Sequence, residues 1–171
     1  MKNIVVTYFE PFGGRNTNAS KEVVSLLKKY KTKELPVSWS KIPALIDDIL
    51  STKVDYLFLV GEAGSYKEIS LEKYARNIAH GIDNSGSSKE NEPIINGGAD
   101  VLTTKFDIDN LPYRISENAG KYLCNFTYYQ ALSKAKNTKV IFIHLPYIDE
   151  ENNTLSNLKN DLSNIIETLT K

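Results

Sequence analysis

"DYLFLVG", residues 55–61, decides the fold of this chain. Its apolar residues follow one another without polar alternation, and a strand carries such a run only when both of its faces are covered. Two other stretches repeat the pattern: "NIVVTYF" from Asn3 and "KVIFIH" from Lys139. Helical spacing lies between and after them. Val23, Leu27 and Tyr30 recur at intervals of four and three, with Asn18 or Ser20 available as the N-cap. Leu155, Leu158, Leu162, Ile165, Ile166 and Leu169 mark one face of a C-terminal helix. Strands alternating with helices predict an α/β three-layer sandwich, its central, largely parallel (mixed) sheet flanked by helices.

A chain of 171 residues fits one domain, expected to span residues 1–171, and can bury a continuous core without staples. Its 21 basic and 21 acidic side chains cancel, so no positive excess drives binding to phosphate backbones or anionic lipid. Neither nucleic acid nor membrane is an expected partner, and no apolar run approaches the length of a membrane span. The single cysteine cannot form an intrachain disulfide. The stretch "MKNIVVTYFEPFGG" meets acidic, Pro and Gly residues too early for a signal peptide, so the expected location is cytoplasmic. Residues 83–98, "DNSGSSKENEPIINGG", predict an exposed loop of the length that tends to be functional or mobile. Residues 105–115, "KFDIDNLPYRI", carry weak periodicity and a proline, and predict irregular or strand structure.

Ligands in open α/β sheets collect outside the carboxyl ends of the strands. The first strand runs into "FEPFGG", the second into "GEAG" from Gly61, and the third ends on His144 before "LPY". These glycine turns match neither the phosphate-binding P-loop nor the dinucleotide fingerprint. With two histidines, no HExxH and no second cysteine, no metal or other cofactor is expected. Phe9 and Phe12 read either as core packing or as an apolar slot for a flat ring. Cys124, in "AGKYLCNFTYYQAL" (residues 119–132), falls in the first turn of a helix expected from about Lys121, where the helix dipole favours a thiolate. Free cysteine is also among the most buried residue types, so core filling is the other reading. His144 is equally a hydrogen-bonded core histidine or a base. Glu72, in "SLEKYARNIAHG", is a salt-bridge partner or an orienting acid. Spacing alone does not bring the three together.

Four ordered segments resemble the pyroglutamyl peptidase I family of cysteine peptidases, also called pyrrolidone carboxyl peptidases. "VTYFEPFGGRNTNAS" is similar to the family's N-terminal strand and loop, and "VGEAGSYKEISLEKYARNI" to its glycine turn and glutamate segment. "ENAGKYLCN" looks like the nucleophile segment and "VIFIHLPYI" like the histidine strand. The resemblance implies Cys124 as nucleophile, His144 as general base and acid, and Glu72 as the residue orienting His144. It further implies that Phe9, Phe12, Tyr122 and Leu123 line an apolar pocket for the pyrrolidone ring, while backbone groups near Glu62 hydrogen-bond the lactam. The implied partners are peptides with an N-terminal pyroglutamate, and a homo-oligomer is compatible with the family. The implied activity is hydrolysis of the amide bond after that residue through a thioester. Two alternatives stand beside it: a Cys-His-Glu amidase for another small acyl amide or lactam, and a noncatalytic ligand-binding relative.

The chain departs from the family pattern in three places. Where the glycine turn usually continues Gly-Gly-Arg, it has Gly64-Ser65-Tyr66. An arginine after the glutamate segment has no counterpart in "AHGIDN", although His80 falls near its place. The chain is also shorter than typical members, and residues 105–115 lie where they carry another helix.

Overall fold

The structure is a computed structural model and describes residues 2–171. In chain order the first half contains β1 (Ile4–Phe9), α1 (Ala19–Val24), β2 (Lys31–Leu35), α2 (Ile42–Ser51), β3 (Tyr56–Glu62), β4 (Ser70–Glu72) and β5 (Tyr74–Arg76). The second half contains β6 (Ala79–Ile82), β7 (Ser88–Glu92), β8 (Val101–Thr103), β9 (Arg114–Ser116), α3 (Leu123–Lys134), β10 (Lys139–Leu145) and α4 (Leu155–Leu169). A central sheet has the strand order β2-β1-β3-β10-β4-β9. Every neighbouring pair is parallel except β10 with β4. This is the predicted mixed, largely parallel sheet between helical layers.

The unbroken apolar runs have a direct cause. Alternate residues of a strand point to opposite faces. Leu57, Leu59, Val140 and Phe142 enter one core with Ile42, Ile46 and Ile49 of α2 and Leu123 and Phe126 of α3. Phe58, Val60, Ile141 and Ile143 enter the other with Val23 of α1 and Leu158, Leu162, Ile165 and Ile166 of α4. Both faces are covered, so neither set can be polar. Thr154 caps α4 by accepting from the Asn157 backbone N–H at 3.1 Å, which fixes where that helix begins.

Four local expectations are refined. Asn18 does cap α1, its Oδ1 accepting from Ser20 N–H at 2.9 Å, but the helix stops at Val24 instead of reaching Tyr30. The Leu26 and Leu27 N–H groups bond three residues back, to Val23 and Val24, and the tightened turn releases the chain toward β2. The helix carrying Cys124 starts at Leu123, two residues later than expected. Gly120 has φ +84°, and the Lys121 carbonyl accepts from His80 N–H at 2.8 Å, which holds that residue outside the helix. Residues 88–92 are not loop but strand β7, which forms an antiparallel hairpin with β6. Residues 105–115 are mostly irregular and end in β9 at the sheet edge, while Phe106 and Ile108 are buried beneath them. Among the described residues no helix is long and apolar enough to cross a membrane.

Candidate active site

His144 lies near the carboxyl end of β10, paired with Gly61 of β3 on one side and Ser70 of β4 on the other. Glu72 pairs with Phe142. Residues two apart share a face, so the direction of β4 puts Glu72 and His144 on the face that α3 covers. Glu72 Oε1 lies 2.7 Å from His144 Nδ1, and both side chains are buried, 0% and 5% exposed. A proton on Nδ1 donates to the carboxylate and leaves Nε2 as the ring's acceptor.

Cys124 enters from above as the second residue of α3. Its Sγ packs over Gly61, the residue paired with His144; a Cβ on Gly61 would lie only 2.8 Å from it. The Cys124 backbone N–H is among the four that a helix leaves without an intrahelical acceptor, and the N-cap Tyr122 supplies no side-chain bond. Burial pushes the thiol well above its ordinary pKa, and the nearby charges of Glu72 and Glu62 push the same way. Burial and the two carboxylates thus oppose the thiolate that a helix start favours. The thiol holds its proton at neutral pH, so a thiolate forms there only with a base.

Buried polar contacts lock α3 to the strands beneath it. The Asn125 side chain accepts from Arg76 N–H at 2.9 Å and donates to the carbonyls of Arg76 and Ile78 at 2.9 and 3.0 Å. Tyr128 Oη donates to the Glu72 carbonyl at 2.9 Å. Both residues are fully buried, and losing either partner strands a desolvated group.

An aromatic wall adjoins the helix start. Phe12 and Tyr122 are half-buried, with ring centroids 5.8 Å apart. Trp39 meets Tyr122 edge-on at 5.5 Å and Phe126 at 5.2 Å. Tyr122 Oη donates to the Ile82 carbonyl at 2.7 Å, tying the wall to the β6–β7 hairpin. Phe9 and Leu123 lie deeper, 2% and 1% exposed, with the Phe9 ring tilted against Phe142 at 6.4 Å between centroids. Glu62 is buried at the end of β3. Its Oε2 accepts from Ala19 N–H at 2.7 Å and its Oε1 from Arg15 at 3.1 Å. Burial raises the Glu62 carboxyl pKa, against the opposing pull of these two donors.

Cys124, Glu72 and His144 thus converge around Gly61, whereas His80 does not join them. It is exposed on β6, with Nδ1 3.9 Å from Glu90. Among the described residues no group of His, Cys, Asp and Glu is arranged to hold a metal ion. Sequence reasoning missed Trp39, Tyr66, Asn125 and Tyr128. Trp39 had a signal as the only tryptophan in the chain, and Tyr66 had one as a departure from the family's turn.

The sequence pattern of the family described as pyroglutamyl peptidase matches residues 2–168. A pyrrolidone-carboxylate peptidase of Fusobacterium nucleatum is 34% identical over 173 aligned positions, covering 88% of this chain and 81% of the relative. One from Thermosipho africanus is 33% identical, covering 97% of this chain and 92% of its own length. The crystal structure of pyrrolidone carboxyl peptidase from Fervidobacterium islandicum superposes with a TM-score of 0.87 at 29% identity, covering 99% of both chains. That from Thermus thermophilus gives 0.86 at 27% identity, covering 93% of this chain and 96% of its own.

Proposed function

The chain belongs to the pyroglutamyl peptidase family, and from that premise we propose a cysteine exopeptidase that removes N-terminal pyroglutamate with Cys124, His144 and Glu72 as its machinery. One observation carries the residue assignment: the 2.7 Å Glu72–His144 contact joins β4 to β10, and His144 pairs on its other side with Gly61 of β3, over which the Cys124 thiol packs.

His144 Nε2 takes the Sγ proton, and the thiolate attacks the carbonyl carbon of the pyroglutamyl residue. Glu72 holds the imidazole in the required tautomer and stabilises its protonated form. The Cys124 backbone N–H faces the developing oxyanion, a contribution of about 3 kcal/mol per donor in such sites. The imidazolium then gives its proton to the departing amine, leaving a thioester. Water, deprotonated by His144, attacks that thioester, releases pyroglutamate and restores the thiol. Because the resting thiol is protonated and buried, the proton transfer to His144 is an obligatory part of the cycle.

Phe12 and Tyr122 form the accessible side of the ring pocket, with Phe9 and Leu123 behind them and backbone groups near Glu62 bonding the lactam. An uncharged lactam enters such surroundings at small cost, while a free N-terminal glutamate pays desolvation of two charges. The catalytic unit is the whole chain, residues 1–171, as one domain: both cores share a single sheet. Its lone free cysteine suits a reducing, cytoplasmic setting, and self-association completes the reading. Fractionation and light scattering test those two points.

Hydrolysis of a fluorogenic pyroglutamyl amide by the wild type and by Cys124→Ala tests the activity. The wild type is expected to release fluorophore and the variant to stay at background. A variant as active as wild type removes Cys124 as nucleophile. A wild type that cleaves only other acyl amides, or binds pyroglutamate without turnover, replaces the reading with one of its alternatives.

A further inference from the structure

Tyr66 stands in the turn between β3 and β4 and touches both partners of the buried acid–imidazole pair. Its Oη lies 3.0 Å from Glu72 Oε1, 3.0 Å from Ser116 Oγ and 3.1 Å from the Asn118 carbonyl. Its ring stands edge-on to the His144 imidazole at 5.5 Å. The Arg114 guanidinium lies over the ring, 4.4 Å from its centroid, and donates to Ser70 Oγ at 2.9 Å. Ser70 is paired with both His144 and Arg114 in the sheet.

A phenol has one proton, and three oxygens surround this one. The carboxylate is the strongest acceptor of the three, since a charge-assisted bond exceeds a neutral one. The remainder of the network accommodates that choice: Ser116 Oγ accepts from Asn118 N–H at 3.3 Å, and its own proton has the Tyr66 oxygen at 3.0 Å, nearer than its other acceptor, the Asn118 carbonyl at 3.3 Å. Burial raises the Tyr66 pKa, which keeps the proton in place through the neutral range. Glu72 Oε2, by contrast, is buried without any hydrogen-bond partner. Both side-chain donors to this carboxylate, His144 Nδ1–H and Tyr66 Oη–H, therefore fall on Oε1. If the phenol is removed, the imidazole is the only side-chain donor left to hold the carboxylate's orientation.

Resting on the function proposed above, we infer that Tyr66 is a positioning residue for the Glu72–His144 pair, supported from β9 by Arg114 and Ser116. It fixes which carboxylate oxygen faces the imidazole and draws off part of the carboxylate's charge. Short β9, in the region where the chain departs from its family, thereby acquires a role behind the site.

The test is Tyr66→Phe in the full chain, which keeps the ring beneath Arg114 and deletes the hydroxyl. Expected are a fall in kcat of about tenfold, the size of one lost hydrogen bond, and a KM within about twofold. The acid limb of the pH profile moves to higher pH, because an undispersed Glu72 charge favours the protonated imidazole. The charged and titratable groups facing the pair are Tyr66, Arg114 on β9, and Cys124 and Tyr128 on α3, with Glu62 on β3 acting on Cys124; the substitution alters only the first. A merely structural role lowers the folded fraction and leaves the limb in place. A Tyr66→Phe protein with the wild-type kcat and pH profile overturns the inference. A wild type that fails to cleave pyroglutamyl amides overturns the function instead. The titration of His144 by NMR, which needs no substrate and competes with only one other histidine, then decides Tyr66: an unchanged midpoint in Tyr66→Phe sinks it.

Discussion

Cys124 rests directly on Gly61. A Cβ at position 61 would come within 2.8 Å of the Cys124 sulfur and 2.7 Å of the Phe142 ring, so the absence of a side chain there sets how closely α3 approaches the sheet. Gly61→Ala must push both the sulfur and the ring aside. The expected cost is about 1–3 kcal/mol of stability, read by urea unfolding. Activity should fall further than stability, because one of the displaced atoms is the proposed nucleophile. Full activity in a destabilised variant contradicts this account.

Glu72→Gln should cost at least about a hundredfold in kcat. The amide keeps a carbonyl oxygen for the His144 Nδ1–H and the Tyr66 hydroxyl, but it is uncharged and cannot stabilise the imidazolium. Single-turnover measurements separate this from binding: KM should change little. A loss confined to KM would place Glu72 against substrate instead.

The raised Cys124 pKa carries a pH signature. Above its ordinary value of 9.0 the unfolded chain loses this thiol proton, while the folded chain keeps it through burial and the charges of Glu72 and Glu62. The unfolded state then binds fewer protons, so stability present below pH 9 is lost as pH rises past it. Chemical denaturation from pH 8 to 10.5 should show a shallower decline for Cys124→Ala than for wild type. Parallel slopes would mean that the thiol does not hold its proton.

Asp83 governs the hairpin beside the aromatic wall. It accepts from Trp39 N–H at 2.9 Å, from Ser85 N–H and Oγ–H at 2.9 and 2.6 Å, and from Ser87 N–H at 3.0 Å. Burial raises its carboxyl pKa, but these donors together prevail and hold it below the ordinary 3.8. Its stabilising contribution is present above pH 3.8 and disappears as pH falls through the lower, folded value. Asp83→Ala should cost about 1–3 kcal/mol at neutral pH and flatten the acid side of the stability curve. Since Trp39 also braces Tyr122, KM for pyroglutamyl amides should rise in the same variant. An unchanged KM would detach the hairpin from substrate binding.

What the sequence disclosed follows from how local each signal is. Leu57 to Val60 and Val140 to Ile143 announce buried strands because every side chain there meets a core. β2, reading Lys-Thr-Lys-Glu-Leu with four of five residues exposed, carries no apolar pattern and went unread. In α2 the signal existed, as Ile42, Ile46 and Ile49 at intervals of four and three. The site is harder to read. Glu72 and His144 are 72 residues apart, Tyr66 and Ser116 50, and Trp39 and Asp83 44. No periodicity connects partners at such separations; only the ordered family segments suggested that Cys124, Glu72 and His144 belonged together.

The insertion of β10 between β3 and β4 sets a timetable for synthesis. A growing chain displays its first strands long before residues 139–145 emerge to join them. Until then Glu72 has no imidazole beside it, and the thiol of Cys124 lacks its proposed base. With the proposed roles, hydrolytic power arrives in one late step, when a single strand closes the gap, and a half-made chain carries an inert sulfur past every peptide around it. Pairing of this kind, across most of the chain's length, is also slow to form. The interval before closure is the time in which the open edges of β3 and β4 are exposed to aggregation.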